Sequence, residues 1–493
     1  MAHRGAVSKL ERHVRDSKSL LVLGAGKTGH GLALVFSKAG RTVTVLDENK
    51  LPEDYGLEFL ENDIVYYEEQ AVDDFLETKP DLGFAVKSPG ISPDSEVVKK
   101  TRSLGVKFVS ELDLLYALSG KPSVAVTGTN GKTTVCSLIN QMLVYSGLKS
   151  KLLGNVGRPM ASILLGPLLD EQSLESELRG EPRDVFEVSS YQLEEIEFFA
   201  PKIGVWLNLN HDHLERHGDM DSYFEAKARL FSNQSAKHDW AVLNIDDPYF
   251  SRFEKAAKGA IFPFGTLTES LKNSPHGCFY DQNTEQVTFL AGNIAARFDL
   301  TKTPLIGSHN RVNLTAAIAA SMLSGASVGA IEFVIERFCP LPHRMELVRV
   351  IDGVKYINDS KATNVASAVA GVKSILEDVE GQLFLLLGGQ AKKGEWEEIA
   401  EVMRNEKIIP VCFGASSEQV ASELLQFGTE VPPEQIHSSL SDAFYQSFAA
   451  SKEGDVVLLS PGCASFDAYS SFEDRGDDFS SMVDRASAGL FSG

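Results

Sequence analysis

The residues best suited to chemistry lie in Thr127-Gly128-Thr129-Asn130-Gly131-Lys132-Thr133-Thr134, which closes the apolar run Ser123–Thr127. The segment ends in the Gly-Lys-Thr of a phosphate-binding loop. Backbone N–H groups of such a loop can wrap phosphate oxygens, Lys132 can reach the terminal phosphates, and the Thr133 hydroxyl is a hard ligand for Mg²⁺. A standard loop has glycine five residues before Gly131, where this chain has Val126. A turn by itself has no use for lysine at a helix start, where the dipole repels a cation. Phosphate binding is therefore the expected chemistry.

A second glycine loop, Gly24-Ala25-Gly26-Lys27-Thr28-Gly29, also sits between a strand pattern and a helix pattern, and Asp47 ends the next strand. This satisfies a dinucleotide fingerprint: tight turn, phosphate at a helix N-terminus, an acid for a ribose hydroxyl. Alone it is compatible with an NAD-dependent dehydrogenase, with a non-catalytic nucleotide-binding protein, or with a tight turn. Glu187, inside the apolar run Val185–Val188, is costly to bury without a partner and suits a hard cation. His211, His213 and His217 have the spacing of ordinary loop residues, and on pattern alone Lys227 is a helix-surface lysine.

These residues need elements to hold them. Apolar runs of four to six residues alternate with helical stretches almost throughout, the mark of an α/β chain with parallel sheets. The runs Leu20–Leu23, Thr42–Asp47 and Ser123–Thr127 read as strands, as do those opening at Leu383, Ile408 and Val456. Residues 277–290 alternate around Asp-Gln-Asn-Thr like an antiparallel hairpin, and the acidic stretch 166–184 reads as a surface loop or frayed helix. At 493 residues the chain is too long for one core, and breaks near 119 and 340 divide it into segments 1–119, 120–340 and 341–493. A formal charge of −21 gives no basic footprint for nucleic acid. No apolar run is long enough to span a membrane and none forms a leader, and the five scattered cysteines read as free thiols. A cytoplasmic monomer without membrane insertion is expected.

The phosphate loop resembles the ATP loop of the Mur ligase superfamily, and further segments resemble the superfamily's motifs in its order. They are Phe186–Leu193, Asn208–Glu215, Tyr223–Phe231, Gly307–Asn313, Leu341–Glu346 and Asn358–Asn364. Ser88-Pro89-Gly90-Ile91-Ser92, Ser460–Asp467 and Phe472-Glu473-Asp474-Arg475-Gly476 are similar to the D-glutamate-adding branch, and the Asp-Asn-Pro-Arg signature of its diaminopimelate-adding relative is absent.

The resemblance implies a Rossmann-like N-terminal domain, a P-loop-type central ATPase domain and a Rossmann-like C-terminal domain. It implies an ATP-dependent amide ligase acting through an acyl phosphate, with UDP-linked muramoyl-L-alanine and D-glutamate as small-molecule substrates. By carry-over, Gly128, Thr129, Asn130, Gly131, Lys132, Thr133 and Thr134 bind ATP, together with Asn310, Asn313, Arg344, Asp359 and Lys361. Thr133, Glu187, His213 and Lys227 serve two Mg²⁺ ions, Lys227 as a carbamate that turns a repelling ammonium into an anionic ligand and makes bicarbonate a requirement. Gly26, Lys27, Thr28, Asp47, Glu48, Ser88, Gly90 and Asn155 receive the UDP substrate, so the first loop binds uridine diphosphate and not NAD. Thr363, Lys392 (or Lys393), Ser465 and Phe472 receive D-glutamate, and hinge closure is expected around residue 340.

Overall fold

The computed structural model describes residues 2–489 except 52, 69, 79, 81, 121–122, 155–159, 166–167, 169–183, 213, 272–273, 306, 339–341, 377–378, 392–395 and 405–406. Most of the acidic stretch read as a loop or frayed helix falls outside the described residues. The chain forms two compact units, Met1–Asp299 with Leu314–Val334, and Leu300–Asn313 with Ile335–Gly493.

The first unit holds two sheets. Strands β1 (Ser19–Leu23), β2 (Thr42–Asp47), β3 (Val65–Glu68) and β4 (Phe84–Lys87) pair in the order β3-β2-β1-β4, all parallel. Leu20 and Val22 face one apolar cluster, and Leu21 and Leu23 face another. That two-sided burial is why the run is continuously apolar. The strand order reverses between β1 and β4, the place where open α/β sheets receive ligands.

The larger sheet comprises β5 (Ser123–Thr127), β6 (Lys151–Gly154), β7 (Asp184–Glu187), β8 (Ile203–Trp206), β9 (Trp240–Asn244), β10 (Ala260–Thr266), β11 (His276–Asp281), β12 (Gln286–Ala291) and β13 (Ile294–Asp299). The order is β13-β12-β11-β10-β9-β8-β5-β7-β6. Its pairs are parallel from β6 through β11, and β12 and β13 extend it antiparallel. The hairpin read from residues 277–290 is thus β11–β12, with β11 buried on both faces and β12 alternating between buried and half-buried positions.

The second unit is built on β14 (Glu346–Ile351), β15 (Val354–Asn358), β16 (Leu383–Gly388), β17 (Ile408–Phe413) and β18 (Val456–Gly462), in the order β14-β15-β18-β16-β17. Only the β14–β15 pair is antiparallel. Leu383, Leu385 and Leu387 fill one face, Phe384 and Leu386 the other. Side-chain caps start the flanking helices: Asn364 accepts from Ser367 N–H, Ser439 from Asp442 N–H and Ser471 from Asp474 N–H. In all three sheets the chemistry-bearing segments follow the carboxyl ends of strands.

Candidate active site

The loop after β5 turns at Gly131, whose φ of +82° is left-handed and suits glycine. The helix Lys132–Tyr145 starts there with no side-chain cap, so its first N–H groups stay available to an anion. Parallel pairing sets Val126 opposite Glu187, which brings the end of β7 beside the start of that helix. Thr133 Oγ1 donates to Glu187 Oε2 at 2.7 Å, and both side chains are buried. Two hard oxygens thus stand together next to a phosphate loop.

Two lysines converge on the same backbone oxygen. Lys132 Nζ donates to Gly128 O (2.8 Å) and Thr129 O (2.7 Å), and Lys227 Nζ donates to Gly128 O at 2.9 Å. Lys227, which pattern alone would put on a surface, is 1% exposed on the helix Met220–Ala228, with its Nζ 4.6 Å from the Tyr223 ring centroid. Burial, then the charge of Lys132, pushes its pKa well below the usual lysine range, with Asp212 opposing. Only the free base of an amine attacks CO₂, so a lowered pKa favours that chemistry.

Asn208 was not singled out by sequence reasoning, yet it holds the loop. Its Oδ1 accepts from Thr129 N–H (3.1 Å) and Asn130 N–H (2.8 Å), and its Nδ2 donates to Asn130 O. The Thr129 hydroxyl is taken up by Asn210 N–H (3.0 Å) and lies 3.3 Å from the Tyr223 hydroxyl. Thr129 therefore braces the loop with its side chain. Thr134 sits half-buried in the first helical turn. Among the described residues no three His, Cys, Asp or Glu side chains form a ready-made metal cluster. The Thr133–Glu187 pair fits Mg²⁺, which takes few protein oxygens and fills its octahedron with phosphate and water.

At the switch point of the first sheet the three glycines of Gly24–Gly29 have different reasons to exist. A Cβ on Gly29 would stand 1.8 Å from Gly24 O, and Gly24 has φ +90° with Ser88 Oγ 2.8 Å from its would-be Cβ. Those two are packing requirements. Gly26 has φ −64° and open space where a Cβ would go. It caps the helix Lys27–Lys38 without a side-chain bond, a place left bare for close approach of a ligand. Exposed Lys27 follows it. Asp47 Oδ2 accepts from Ala25 N–H at 2.7 Å, and Ser88 Oγ donates to Gly24 O at 3.0 Å, so both shape the loop. Asp47, Glu48 and Gly90 line one cleft with Asn49, Ile91 and Ser92. Thr28 bonds the carboxyl of Glu111, a residue sequence reasoning passed over. Glu111 also takes the Ala161 N–H, and burial raises its pKa to about 7.

The second unit gathers its own set. Asn313 Nδ2 donates to Asn310 Oδ1 at 3.1 Å, both residues being buried on the helix Ser308–Leu323. His343 and Met345 both have left-handed φ (65° and 48°) on either side of Arg344. Asp359, after β15, accepts from Ser460 Oγ (2.8 Å) and Met345 N–H (3.3 Å), and burial lifts its pKa to about 7. Lys361 Nζ stands 3.9 Å from the Phe472 ring centroid, so Phe472 packs a cation. Thr363 is half-buried, and Ser465 is buried after β18. Fully buried Arg475, quoted only as part of a signature, ties these loops together. It donates to Ser360 Oγ and O, Cys463 O and Ala464 O at 2.9 to 3.2 Å. His213, Asn155, Lys392 and Lys393 lie outside the described residues.

With that geometry in hand, two family models match: the Mur ligase middle domain over residues 126–321, and the Mur ligase glutamate ligase domain over residues 343–463. A UDP-N-acetylmuramoylalanine–D-glutamate ligase of Natranaerobius thermophilus is 35% identical over 483 residues, covering 95% of this chain and 98% of the relative. The chain belongs to the Mur ligase family. A like-named relative from Caldanaerobacter subterraneus is 32% identical over 94% of this chain and 98% of its own length. Among solved Mur ligase structures, MurF of Acinetobacter baumannii covers 94% of this chain and 92% of its own (TM-score 0.55, 16% identity). A pseudomurein peptide ligase type C of Methanothermus fervidus covers 95% and 100% (TM-score 0.54, 17% identity). These two likenesses concern the Mur ligase fold alone. The dehydrogenase reading of Gly24–Gly29 falls with this membership.

Proposed function

We propose that this Mur ligase joins D-glutamate to UDP-N-acetylmuramoyl-L-alanine at the expense of ATP, in peptidoglycan precursor synthesis. The observation that carries the reading is the buried Thr133–Glu187 pair beside Lys132 and Lys227, in a chain with near-full-length relatives of that name.

The chemistry follows from charge. A carboxylate is a poor electrophile, so its oxygen first attacks the γ-phosphorus of ATP; the bond to the β,γ-bridging oxygen breaks, giving an acyl phosphate and ADP. The amine of D-glutamate then attacks the acyl carbon, and collapse of the tetrahedral adduct expels phosphate as the nitrogen loses its proton. The first step presses two anions together, so positioning and charge neutralisation dominate. The N–H groups at the uncapped helix start, Gly131–Thr134, and the Lys132 ammonium hold the phosphates. Thr133 and Glu187 would hold Mg²⁺, which would neutralise phosphate charge. Lys227, whose pKa burial lowers, would add CO₂ as a carbamate with release of one proton, and with His213 would hold a second Mg²⁺.

In this reading Gly26, Lys27, Thr28, Asp47, Glu48, Ser88, Gly90 and Asn155 receive the UDP substrate, and Asn310, Asn313, Arg344, Asp359 and Lys361 complete the ATP site. Thr363, Lys392, Ser465 and Phe472 receive D-glutamate. Divisions at 119 and 340 separate the three substrate-handling domains of a cytoplasmic monomer. The deciding experiment measures ADP and phosphate release with the UDP-muramoyl-L-alanine acceptor while only the amino acid varies. Release with D-glutamate and not with L-glutamate, L-alanine or diaminopimelate is expected. Release with another amino acid and none with D-glutamate would overturn the specificity.

A further inference from the structure

The loop 88–92, which follows β4, is held from behind by side chains of the larger domain's Ser190–His217 region. Arg216, on the short helix Leu214–His217, presents one edge of its guanidinium to Glu194, with Nε at 3.1 Å and Nη2 at 2.8 Å from the carboxylate. Toward the loop, Nη1 donates to Gly90 O at 3.1 Å and Nη2 to Ile91 O at 2.9 Å, with Pro89 O 3.5 Å away. The Tyr191 ring lies under it, 5.0 Å from centroid to Cζ. The neighbouring acid repeats the device. Glu195 pairs with Lys87 Nζ at 3.1 Å, and the same Nζ donates to Ile91 O at 3.0 Å.

The contacts run through carbonyls, which determines what the loop shows on its other side. In a planar trans peptide the C=O and the following N–H point in opposite directions. Drawing the Ile91 carbonyl toward Arg216 and Lys87 turns the N–H of cleft-lining Ser92 the other way. Gly90 lines the cleft shared with Asp47 and Glu48, and like Gly26 it has open space where a Cβ would stand.

We propose that Arg216, anchored by Glu194, is a positioning residue for the UDP-linked substrate: it fixes the peptide orientation of the Ser88–Ser92 loop while standing on the domain that carries the ATP loop. The role needs a planar fork that bonds in two directions at once, so lysine cannot substitute fully. Because Arg216 follows His213 by three residues, one short segment carries both the loop clamp and a residue assigned to metal. The proposal rests on the assignment of Ser88 and Gly90 to the UDP substrate.

The test compares full-length wild type with Arg216→Lys, Arg216→Ala, Glu194→Gln and the junction control Lys107→Ala. Lys107 lies near Glu197 and Phe198 and makes no contact in the clamp. Calorimetric titration with UDP-muramoyl-L-alanine and with UDP alone is paired with KM values for acceptor, MgATP and D-glutamate, and with thermal unfolding. Arg216→Ala and Glu194→Gln should weaken acceptor binding and raise acceptor KM between about tenfold and a hundredfold. Arg216→Lys should fall between them and wild type, with KM for MgATP held within about twofold and Lys107→Ala unchanged. An acceptor Kd unmoved in Arg216→Ala overturns the proposal, and so does an equal loss of acceptor and ATP affinity with a lowered Tm. If wild type itself fails to bind the acceptor, the substrate assignment falls instead.

Discussion

Glycine without a steric reason is the most informative residue in the first loop. Gly29→Ala would drive a Cβ into Gly24 O, whereas Gly26 has ordinary backbone angles and room for a methyl group. Gly26→Ala is expected to leave Tm unchanged and raise KM for the UDP acceptor about tenfold or more, while Gly29→Ala should fail to fold normally; circular dichroism with steady-state kinetics separates them. At the second loop, Glu187→Gln keeps the bond with Thr133 but removes the charge, and kcat should drop by about 10² or more with Tm little altered. For Lys227, removing CO₂ from buffers should depress turnover and added bicarbonate restore it, and Lys227→Arg should be inactive with or without bicarbonate. Bicarbonate-insensitive wild-type turnover would remove the carbamate from the mechanism. Lys132, Thr133 and Glu187 were legible in the sequence because loop chemistry and an acid in an apolar run are local signals. Asn208 was not, since its bonds to Thr129 and Asn130 cross some eighty positions of chain.

Elements explain why the strands read so easily and their tethers so poorly. Parallel strands buried on both faces must be continuously apolar, so β1, β2, β5, β16, β17 and β18 stand out as runs. What ties an element to its neighbour is a single polar side chain whose partner is distant in sequence. Glu111 is one: it begins the helix Glu111–Ser119 and bonds both Thr28 and Ala161. Its pKa, raised by burial to about 7 from 4.5, means the folded chain holds a proton that the unfolded chain releases. The stability so gained is fully present below pH ~4.5 and is lost as pH rises through about 7. Glu111→Gln, neutral at every pH, should therefore match wild type at pH 5 and exceed it in Tm at pH 8. Arg475 is another tether. Arg475→Met would leave the carbonyls of Ser360 and Cys463 without their donor, and a loss of at least ~2 kcal/mol is expected in denaturant unfolding. Its charge was visible in the sequence, but nothing local announced that this arginine, following exposed Glu473 and Asp474, would be fully buried.

Over the whole molecule, three sheets each offer one carboxyl edge, and in the proposed reading D-glutamate is received at the third alone, where Arg344, Asp359 and Lys361 also reach ATP. Kinetic defects should sort accordingly. Ser465→Ala and Thr363→Ala are expected to raise KM for D-glutamate several-fold while leaving KM for ATP and acceptor near wild type, a pattern that full initial-rate analysis resolves. A uniform rise in all three would contradict the partition. The opposite edges are free of this duty. In the larger sheet β12 runs antiparallel to its parallel neighbours, so the turn between β12 and β13 falls at the amino edge, on the far side from the phosphate loop and at the last strand. Gly292 and Asn293 there are fully solvent-facing, Gly292 with φ +60°. A foreign peptide or small fluorescent module spliced between them would stand at the opposite edge of this sheet from the phosphate loop, which makes this tip a natural handle for attaching the enzyme to a surface or a reporter.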